Sequence, residues 1–385
     1  MGEFLPYGHQ WIDDNDVEAV VRVLKSDFLT QGPLVQRFEE AILETCGAKH
    51  CVAVANGTAA LHIAVAALEL DSGVEGITSP ITFVASANCL VYNGITPKFA
   101  DIDPRTYNID PQAIQERITE RTRVIIPVHF AGQPADVKQI AQGARKRGIT
   151  IIEDAAHAIG SIDENGSRIG DCRNSDMTAF SFHPVKNVTT GEGGAITTND
   201  DALFRKLQLL RNHGITRDPV LLSQNPGPWY YEMQEIGYNY RLTDLQAALG
   251  VAQLSHLDAF KKRRREIVAR YNQAFSNLPH LTVPFERTGN DSCFHLYVVQ
   301  IDFDAMKTSR TQIMELLRKQ GVGTQVHYIP VHTQPFYRKR FGYRDGDFPV
   351  AERYYGRALS LPLFPKMSDG DVGRVIDAVR SIVEG

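Results

Sequence analysis

The sequence lacks the features that mark several large classes of protein. It contains no run of eighteen or more apolar residues, and its start shows no charged segment followed by an apolar one, so we expect a cytoplasmic protein that does not associate with a membrane. Its 5 cysteines are odd in number and show no Cys-x-x-Cys spacing. This argues against a disulfide framework and a zinc site, so we expect reduced thiols and no bound metal.

Positive charge is also scarce. The chain carries 41 lysines and arginines against 45 aspartates and glutamates, a net charge of -4, and so offers no basic field for nucleic acid. Basic residues are scattered except for the run 261–265, which we predict to form a solvated helix face. No Gly-x-Gly-x-x-Gly motif follows an apolar strand, which argues against a dinucleotide site.

Short apolar runs alternate with helical patterns over residues 51–200. This alternation predicts an α/β fold in which a mostly parallel sheet is covered by helices on both faces. The predicted strands are 51–55, 76–83, 97–102, 124–130, 149–153, 177–182 and 195–198, and the predicted helices between them are 58–68, 111–120 and 136–146.

The pattern changes after Leu242 to a long helical stretch that runs through Phe275. A strand over 294–301, a helix over 310–320, a strand over 324–329 and a helix after Ser368 are predicted to follow. This order is typical of a smaller α+β domain. We therefore predict a large domain over 1–250 and a small C-terminal domain over 251–385.

Lys186 is the most informative single residue. It follows the predicted strand 177–182 and precedes a glycine-rich bend, and Asp154 comes directly after an earlier apolar strand. Pyridoxal phosphate needs an amine to bond to, a carboxylate beside its ring nitrogen and a cradle for its phosphate. Burial also makes a lysine less basic, so that it can act as nucleophile and proton carrier. We predict Lys186 and Asp154 as catalytic residues, although Asp154 alone fits a helix cap equally well.

The segment that begins at Asn56 supplies a candidate phosphate site. Gly57, Thr58 and Ala59 follow a strand and open a helix, where free N–H groups and the positive end of the helix dipole favour a phosphate. An ordinary turn with Thr58 as the cap is the alternative. Ser181 favours the phosphate site, because its hydroxyl lies directly beyond another predicted strand and would add a contact.

Two further residues fit around an aromatic cofactor. Phe83 ends a predicted strand, from which its ring could stack on a flat ligand. His157 lies three residues after Asp154, where it could reach a phenolic oxygen of the cofactor. Packing in the core is the alternative for both residues, and the nearness of Asp154 favours a site role for His157.

With these residues in place, the sequence resembles the DegT/DnrJ/EryC1/StrS family of aminotransferases, which share fold type I of the pyridoxal-phosphate-dependent transferases with aspartate aminotransferase. The resemblance implies that Lys186 is the Schiff-base lysine, that Asp154 contacts the ring nitrogen and that Phe83 packs on the ring. It places Thr58, Ala59 and Ser181 around the phosphate, with Asn239 reaching that phosphate from the partner subunit of a homodimer with shared active sites. It covers nearly the whole chain and rests on residues 30–33, 56–61, 80–83, 153–157, 191–194 and 237–246.

Within this family, the segments 7–13, 26–30, 183–185 and 325–328 are most similar to the aminotransferases of pseudaminic acid biosynthesis. The resemblance implies transfer of an amino group from L-glutamate to carbon 4 of a UDP-linked 4-keto-6-deoxy-N-acetylhexosamine. Arg241 is a candidate for binding the donor's carboxylate. The implied contacts to the nucleotide sugar are Tyr7, Asp27, Phe28, Leu29, Thr30, Thr58, Ser181, Asn239, Gln325, Val326, His327 and Tyr328.

Two alternatives stay open from the sequence. One is an aminotransferase that acts on carbon 3, or on another UDP- or dTDP-linked keto sugar. The other is a non-catalytic regulatory protein that binds pyridoxal phosphate. The presence of a lysine, an aspartate and a phosphate site together argues against this second alternative.

Overall fold

The computed structural model describes residues 4–384, which are built around a seven-stranded sheet. Its strands lie in the order β1-β7-β6-β5-β4-β2-β3, and all are parallel except β7, which is antiparallel to both neighbours. The sheet confirms the predicted mostly parallel α/β fold. Its strands are β1 (His50–Val54), β2 (Glu75–Thr78), β3 (Thr96–Phe99), β4 (Thr122–Ile126), β5 (Thr150–Asp154), β6 (Met177–Ser181) and β7 (Gly194–Thr198).

Residues of β1, β6 and β7 are almost all buried because helices cover both faces of the sheet. The predicted strand 76–83 ends early, at Thr78, since Pro80 has no N–H group to donate to a neighbouring strand. The helices that accompany the sheet are α1 (Asp14–Leu24), α2 (Pro33–Cys46), α3 (Gly57–Ala66), α4 (Ala85–Tyr92), α5 (Pro111–Arg117), α6 (Val137–Ala144), α7 (Asp201–Arg211) and α8 (Asp244–Ser255).

The rest of the chain forms a hairpin and a second layered unit. The hairpin strands β8 (Ile215–Thr216) and β9 (Glu232–Met233) flank a loop whose Trp229 is 68% exposed. A three-stranded antiparallel sheet of order β10-β11-β12 then packs against helices around Tyr271 and Tyr297. The remaining elements are α9 (Leu257–Phe275), β10 (Leu281–Thr282), β11 (Tyr297–Ile301), α10 (Arg310–Lys319), α11 (Pro335–Phe341), α12 (Pro349–Arg357), β12 (Ala358–Leu361) and α13 (Asp369–Val383).

The second apolar core draws on both ends of the chain. Leu5 belongs to it and pairs with Val322, so the N-terminal segment crosses to the C-terminal unit before α1 begins. The division of the chain into domains near residue 250 stays a prediction. No helix within residues 4–384 combines the length and the apolar character that a membrane crossing requires.

Two predicted elements differ in the structure. The long helical stretch after Leu242 is two helices, α8 and α9, which are separated at His256. The predicted strand 324–329 is wrong, because this segment makes only an isolated bridge between Gln325 and Ser360. Instead of joining a sheet, its residues from Gln325 onward line a cavity.

The prediction of a solvated face for the basic run 261–265 is wrong at Arg264. This arginine is only 2% exposed, and its Nη1 donates to the carbonyl oxygens of Phe294, His295 and Leu363 at 3.3, 3.2 and 2.9 Å. Burial lowers the pKa of Arg264 to about 10. The side chain therefore joins α9 to two later segments instead of facing solvent.

The cysteines are free thiols, as the odd number and the spacing predict. Cys46, Cys51, Cys89, Cys172 and Cys293 are all buried and unbridged. Burial raises the pKa of each thiol, most strongly for Cys51, so none is activated as a nucleophile.

Candidate active site

A cavity of about 960 Å³ opens where the carboxyl ends of β5 and β6 meet the start of α3. In an α/β sheet this is the edge at which side chains from different strands converge on a ligand. The segment 325–328 closes the cavity from the second unit. The predicted site residues that line it are Tyr7, Gly57, Thr58, Ala59, Phe83, Asp154, His157, Ser181, Lys186, Gln325, Val326, His327 and Tyr328.

Lys186 lies in the turn that follows β6. Its backbone N–H donates to the carbonyl of His183 at 2.8 Å, which shapes the turn and places the lysine at the cavity wall. Burial lowers the pKa of Lys186 to about 8, although the negative charge of Asp154 opposes this shift. Roughly a quarter of such an amine is neutral at pH 7.5, against about 0.1% for an ordinary lysine.

Asp154 ends β5 and is 5% exposed. Ser86 Oγ donates to its Oδ2 at 2.6 Å, and the backbone N–H of Ala156 donates to its Oδ1 at 3.1 Å. The alternative role for Asp154, as the cap of a helix from Ala155, is wrong because no helix begins there and residues 156–160 form turns. Its carboxylate is instead held by hydrogen bonds at the floor of the cavity.

His157 is buried beside Tyr328 and His295. Its Nδ1 accepts from the backbone N–H of Ala131 at 3.3 Å, which assigns the ring proton to Nε2, 3.1 Å from Tyr328 Oη. Burial lowers the pKa of His157 and of His295 well below the usual value, and the charge of Lys186 adds to the shift in both. Both rings are therefore neutral and bring no positive charge to the cavity.

The start of α3 forms a close cradle with β6. Asn56, and not Thr58, is the N-cap, since its Oδ1 accepts from the N–H of Ala59 at 2.8 Å. The first N–H groups of a helix have no partner within it and can bind an anion. A Cβ added to Gly57 would lie 2.8 Å from the Cβ of Ser181, so only glycine lets the helix start approach this serine so closely.

Phe83 and Tyr328 mark the mouth of the cavity. Their ring centroids are 6.3 Å apart, and Phe83 remains 57% exposed, so the alternative that Phe83 packs in the core is wrong. One cavity is thus surrounded by a buried amine, a buried carboxylate, a helix N-terminus that begins with glycine, and an exposed aromatic ring. This set fits a flat aromatic aldehyde that carries a phosphate, which is the chemistry of pyridoxal phosphate.

Some predicted residues do not line this cavity within the chain. Asp27, Phe28 and Leu29 are exposed, and Thr30 pairs with Thr243. They form a surface segment between α1 and α2.

Asn239 and Arg241 also lie outside the cavity. Tyr238 and Tyr240 stack with ring centroids 5.0 Å apart and lie near His62 of α3, so the alternation of an extended chain turns Asn239 to the opposite side. Arg241 Nη1 donates to Asn212 Oδ1 at 2.6 Å.

The lining of the cavity is poor in positive charge. Among the described residues that line it, Lys186 is the single lysine or arginine, whereas Asp154 and Glu192 are two acidic residues of the same lining. Ser86, His295 and Glu192 were not among the predicted site residues. No local pattern marks Ser86, since Thr82 precedes α4 and the two hydroxyls come within 2.6 Å of each other only in the folded structure.

Comparisons with known proteins agree with this geometry. Residues 10–380 match the DegT/DnrJ/EryC1/StrS aminotransferase family. The spore coat polysaccharide biosynthesis protein SpsC of Bacillus subtilis is 45% identical over 383 residues, which cover 99% of this chain and 98% of that protein.

Two solved structures are also similar to this chain. PseC of Helicobacter pylori, an aminotransferase involved in the biosynthesis of pseudoaminic acid, is 33% identical with a TM-score of 0.91, and the match covers 99% of this chain and 100% of that one. The PLP form of Spr1654 from Streptococcus pneumoniae is 29% identical with a TM-score of 0.90, and the match covers 99% of each chain.

Proposed function

Because the chain belongs to the DegT/DnrJ/EryC1/StrS aminotransferase family, we propose that it moves an amino group from L-glutamate to carbon 4 of a UDP-linked 4-keto-6-deoxy-N-acetylhexosamine. The protein is a pyridoxal-phosphate-dependent sugar aminotransferase of fold type I, so the alternative of a non-catalytic binding protein is not supported. The observation that carries the proposal is the meeting of Lys186, Asp154 and the segment 325–328 in one cavity. The likeness to PseC supports the choice of sugar.

Pyridoxal phosphate supplies an aldehyde that carries the amino group and a protonated ring that accepts an electron pair. In this proposal Lys186 would hold the cofactor through its amine, and that amine would be free while the donor's amino group is bound in its place. The freed Lys186, with its pKa of about 8, then removes the proton from the donor's Cα. In the second half of the reaction the same amine delivers a proton to carbon 4 of the sugar.

Asp154 supports both half-reactions in the proposal. Its carboxylate is buried, and it would accept a hydrogen bond from the ring nitrogen and favour the protonated ring while negative charge develops nearby. The start of α3 and Ser181 bind the phosphate, and His157 lies within reach of the phenolic oxygen. Phe83 covers one face of the ring at the mouth of the cavity.

The substrate side of the cavity is formed by Tyr7 and residues 325–328. His327 Nδ1 lies 2.7 Å from Ser360 Oγ, and its carbonyl accepts from Tyr354 Oη at 2.7 Å, so this wall is anchored to β12 and α12. Burial lowers the pKa of His327 to about 3, and it is therefore neutral. A neutral, hydrogen-bonding wall suits the hydroxyl and acetamido groups of a sugar.

The negative groups of the ligands are the reason to propose a homodimer with shared sites. A cofactor phosphate, a nucleotide diphosphate and a donor carboxylate all require positive charge or N–H donors. The described lining offers no lysine or arginine besides Lys186. In the proposed dimer, Asn239, Arg241 and the segment 27–30 face the cavity of the partner, because they point away from their own cavity.

The test of the catalytic assignment is Lys186→Ala, with Lys262→Ala on the exposed side of α9 as the matched control. The Lys186 variant should lose the visible absorbance band of the lysine-bound cofactor and its transaminase activity, while the control keeps both. A Lys186→Ala protein that transaminates at the parental rate would sink the assignment.

The test of the substrate is a panel of UDP- and dTDP-linked 4-keto sugars, with the position of the new amine determined by NMR. We expect a 4-amino product from the UDP-linked N-acetylhexosamine. A 3-amino product, or activity on dTDP sugars alone, would favour the alternative aminotransferases over this proposal.

The shared sites can be tested by mixing two inactive chains. In a mixed dimer of Lys186→Ala and Asn239→Ala chains, one of the two sites contains both wild-type residues. Random pairing should therefore restore up to about a quarter of the parental activity. Two variants that are each inactive and stay inactive when mixed would show that Asn239 acts within its own chain.

A further inference from the structure

A chain of two hydroxyl groups leads from the start of α4 to the carboxylate of Asp154. Thr82 Oγ1 lies 2.6 Å from Ser86 Oγ, which in turn donates to Asp154 Oδ2 at 2.6 Å. The exposed fractions of Thr82 and Ser86 are 2% and 0%. Both hydroxyls are thus almost fully shielded from bulk water.

The direction of the hydrogen bonds follows from counting protons. Ser86 has one hydroxyl hydrogen and two acceptors within reach, Asp154 Oδ2 at 2.6 Å and the carbonyl of Phe83 at 3.2 Å. The ionised carboxylate makes the shorter, charge-assisted bond and takes the hydrogen. Thr82 must then donate to Ser86 Oγ, so both hydroxyl dipoles point toward the negative charge.

This arrangement leaves the carboxylate one fixed orientation. Ala156 holds Oδ1 through its N–H, and Ser86 holds Oδ2, so neither oxygen can rotate away without losing a bond. The remaining lone pairs face the cavity that Thr82 and Asp154 both line. A buried charge that is held in this way needs no reorganisation when the ring nitrogen approaches it.

We propose that Ser86 is a positioning residue, which together with Thr82 holds the carboxylate of Asp154 in the orientation that the cofactor's ring nitrogen requires. The inference rests on the proposed role of Asp154. The segment 82–86 would then have two roles. Phe83 would pack on the cofactor ring, and Thr82 and Ser86 would orient the carboxylate that contacts the ring nitrogen.

Ser79 provides a matched control in the same segment. It is also buried, at 1% exposure, and its Oγ accepts from the N–H of Ile81 at 3.1 Å, but it does not line the cavity. Ser79→Ala therefore removes a buried hydroxyl without touching Asp154. Thr82→Val is nearly isosteric and removes only the donor to Ser86.

The experiment titrates the cofactor-free protein with pyridoxal phosphate and follows the visible band. Ser86→Ala should bind the cofactor roughly 10- to 100-fold more weakly, since a hydrogen bond to a charged group is lost, and Thr82→Val should show a smaller loss of the same kind. Ser86→Thr keeps the hydroxyl and should restore affinity, and Ser79→Ala should bind as the parent does.

The pH dependence of the visible band separates positioning from simple stability. In Ser86→Ala the midpoint should move upward, because a ring that is less firmly protonated favours the proton on the lysine-bound nitrogen. An unchanged midpoint and affinity in both Ser86→Ala and Thr82→Val would overturn the inference. If Asp154→Ala also bound the cofactor normally, the proposed role of Asp154 itself would fail.

Discussion

The lowered pKa of Lys186 predicts that this lysine destabilises the protein when the cofactor is absent. Burial moves its pKa from 10.5 to about 8, so the unfolded chain holds the proton more tightly than the folded chain does. Below pH 8 Lys186 is protonated in both the folded and the unfolded state, and its buried charge lowers the free energy of unfolding by about 3 kcal/mol. Between pH 8 and 10.5 the folded state is neutral first, and the stability of the protein rises with pH.

Lys186→Met tests this prediction, because methionine approximates the uncharged lysine in size and length. The cofactor-free variant should be more stable than the parent by about 3 kcal/mol at pH 7, and by only about 1 kcal/mol at pH 9.5. Urea denaturation at a fixed protein concentration gives the free energy of unfolding at each pH.

Lys206→Met is the control with the opposite sign. Hydrogen bonds to Glu235 and Glu69 raise the pKa of Lys206 despite some burial, so its replacement should leave the protein equally or less stable. The reasoning about Lys186 is refuted if Lys186→Met is no more stable than the parent at pH 7, or if its advantage does not shrink toward pH 9.5.

Three further predictions concern other parts of the chain. Arg264→Met should lower the free energy of unfolding by roughly 3 kcal/mol or more, measured by urea denaturation, because three carbonyl groups lose their donor. Gly57→Ala should weaken cofactor binding about tenfold in a titration, since its Cβ would push the start of α3 away from Ser181; unchanged affinity would contradict the cradle. Burial raises the pKa of Glu153, but hydrogen bonds from His129 and other partners outweigh it and lower the value below 4.5. Glu153 thus stabilises the fold above pH 4.5 and loses this effect as pH falls through its lowered pKa, so Glu153→Gln should show a weaker dependence of stability on acid pH.

The sequence was most informative where local pattern and chemistry coincide. The apolar runs that became β5 and β6 end at Asp154 and Ser181, and parallel strands bring such ends to one edge of a sheet. The sheet could be predicted from the alternation of apolar runs and helical patterns. Lys186 and Asp154 could be placed next to predicted strands without any information on contacts between distant parts of the chain.

The features that the sequence did not reveal depend on distant partners. Arg264 looks like its exposed neighbours, and only carbonyl groups 30 to 99 positions away make its burial favourable. Residues 324–329 are predicted as a strand, but among them only Gln325 forms a β-bridge, to Ser360. The contact of Ser86 with Asp154 exists only because the fold brings α4 next to the end of β5.

The scarcity of positive charge around the cavity bears on how a newly made chain acquires its cofactor. A single chain already holds the amine, the carboxylate and the N–H groups at the start of α3, but its described lining has no lysine or arginine besides Lys186 to neutralise a phosphate ester. On the proposed dimer, retention of the cofactor and pairing of the chains are thermodynamically linked, so each promotes the other. Dilution would then release cofactor as well as subunits, and added pyridoxal phosphate would favour the paired form.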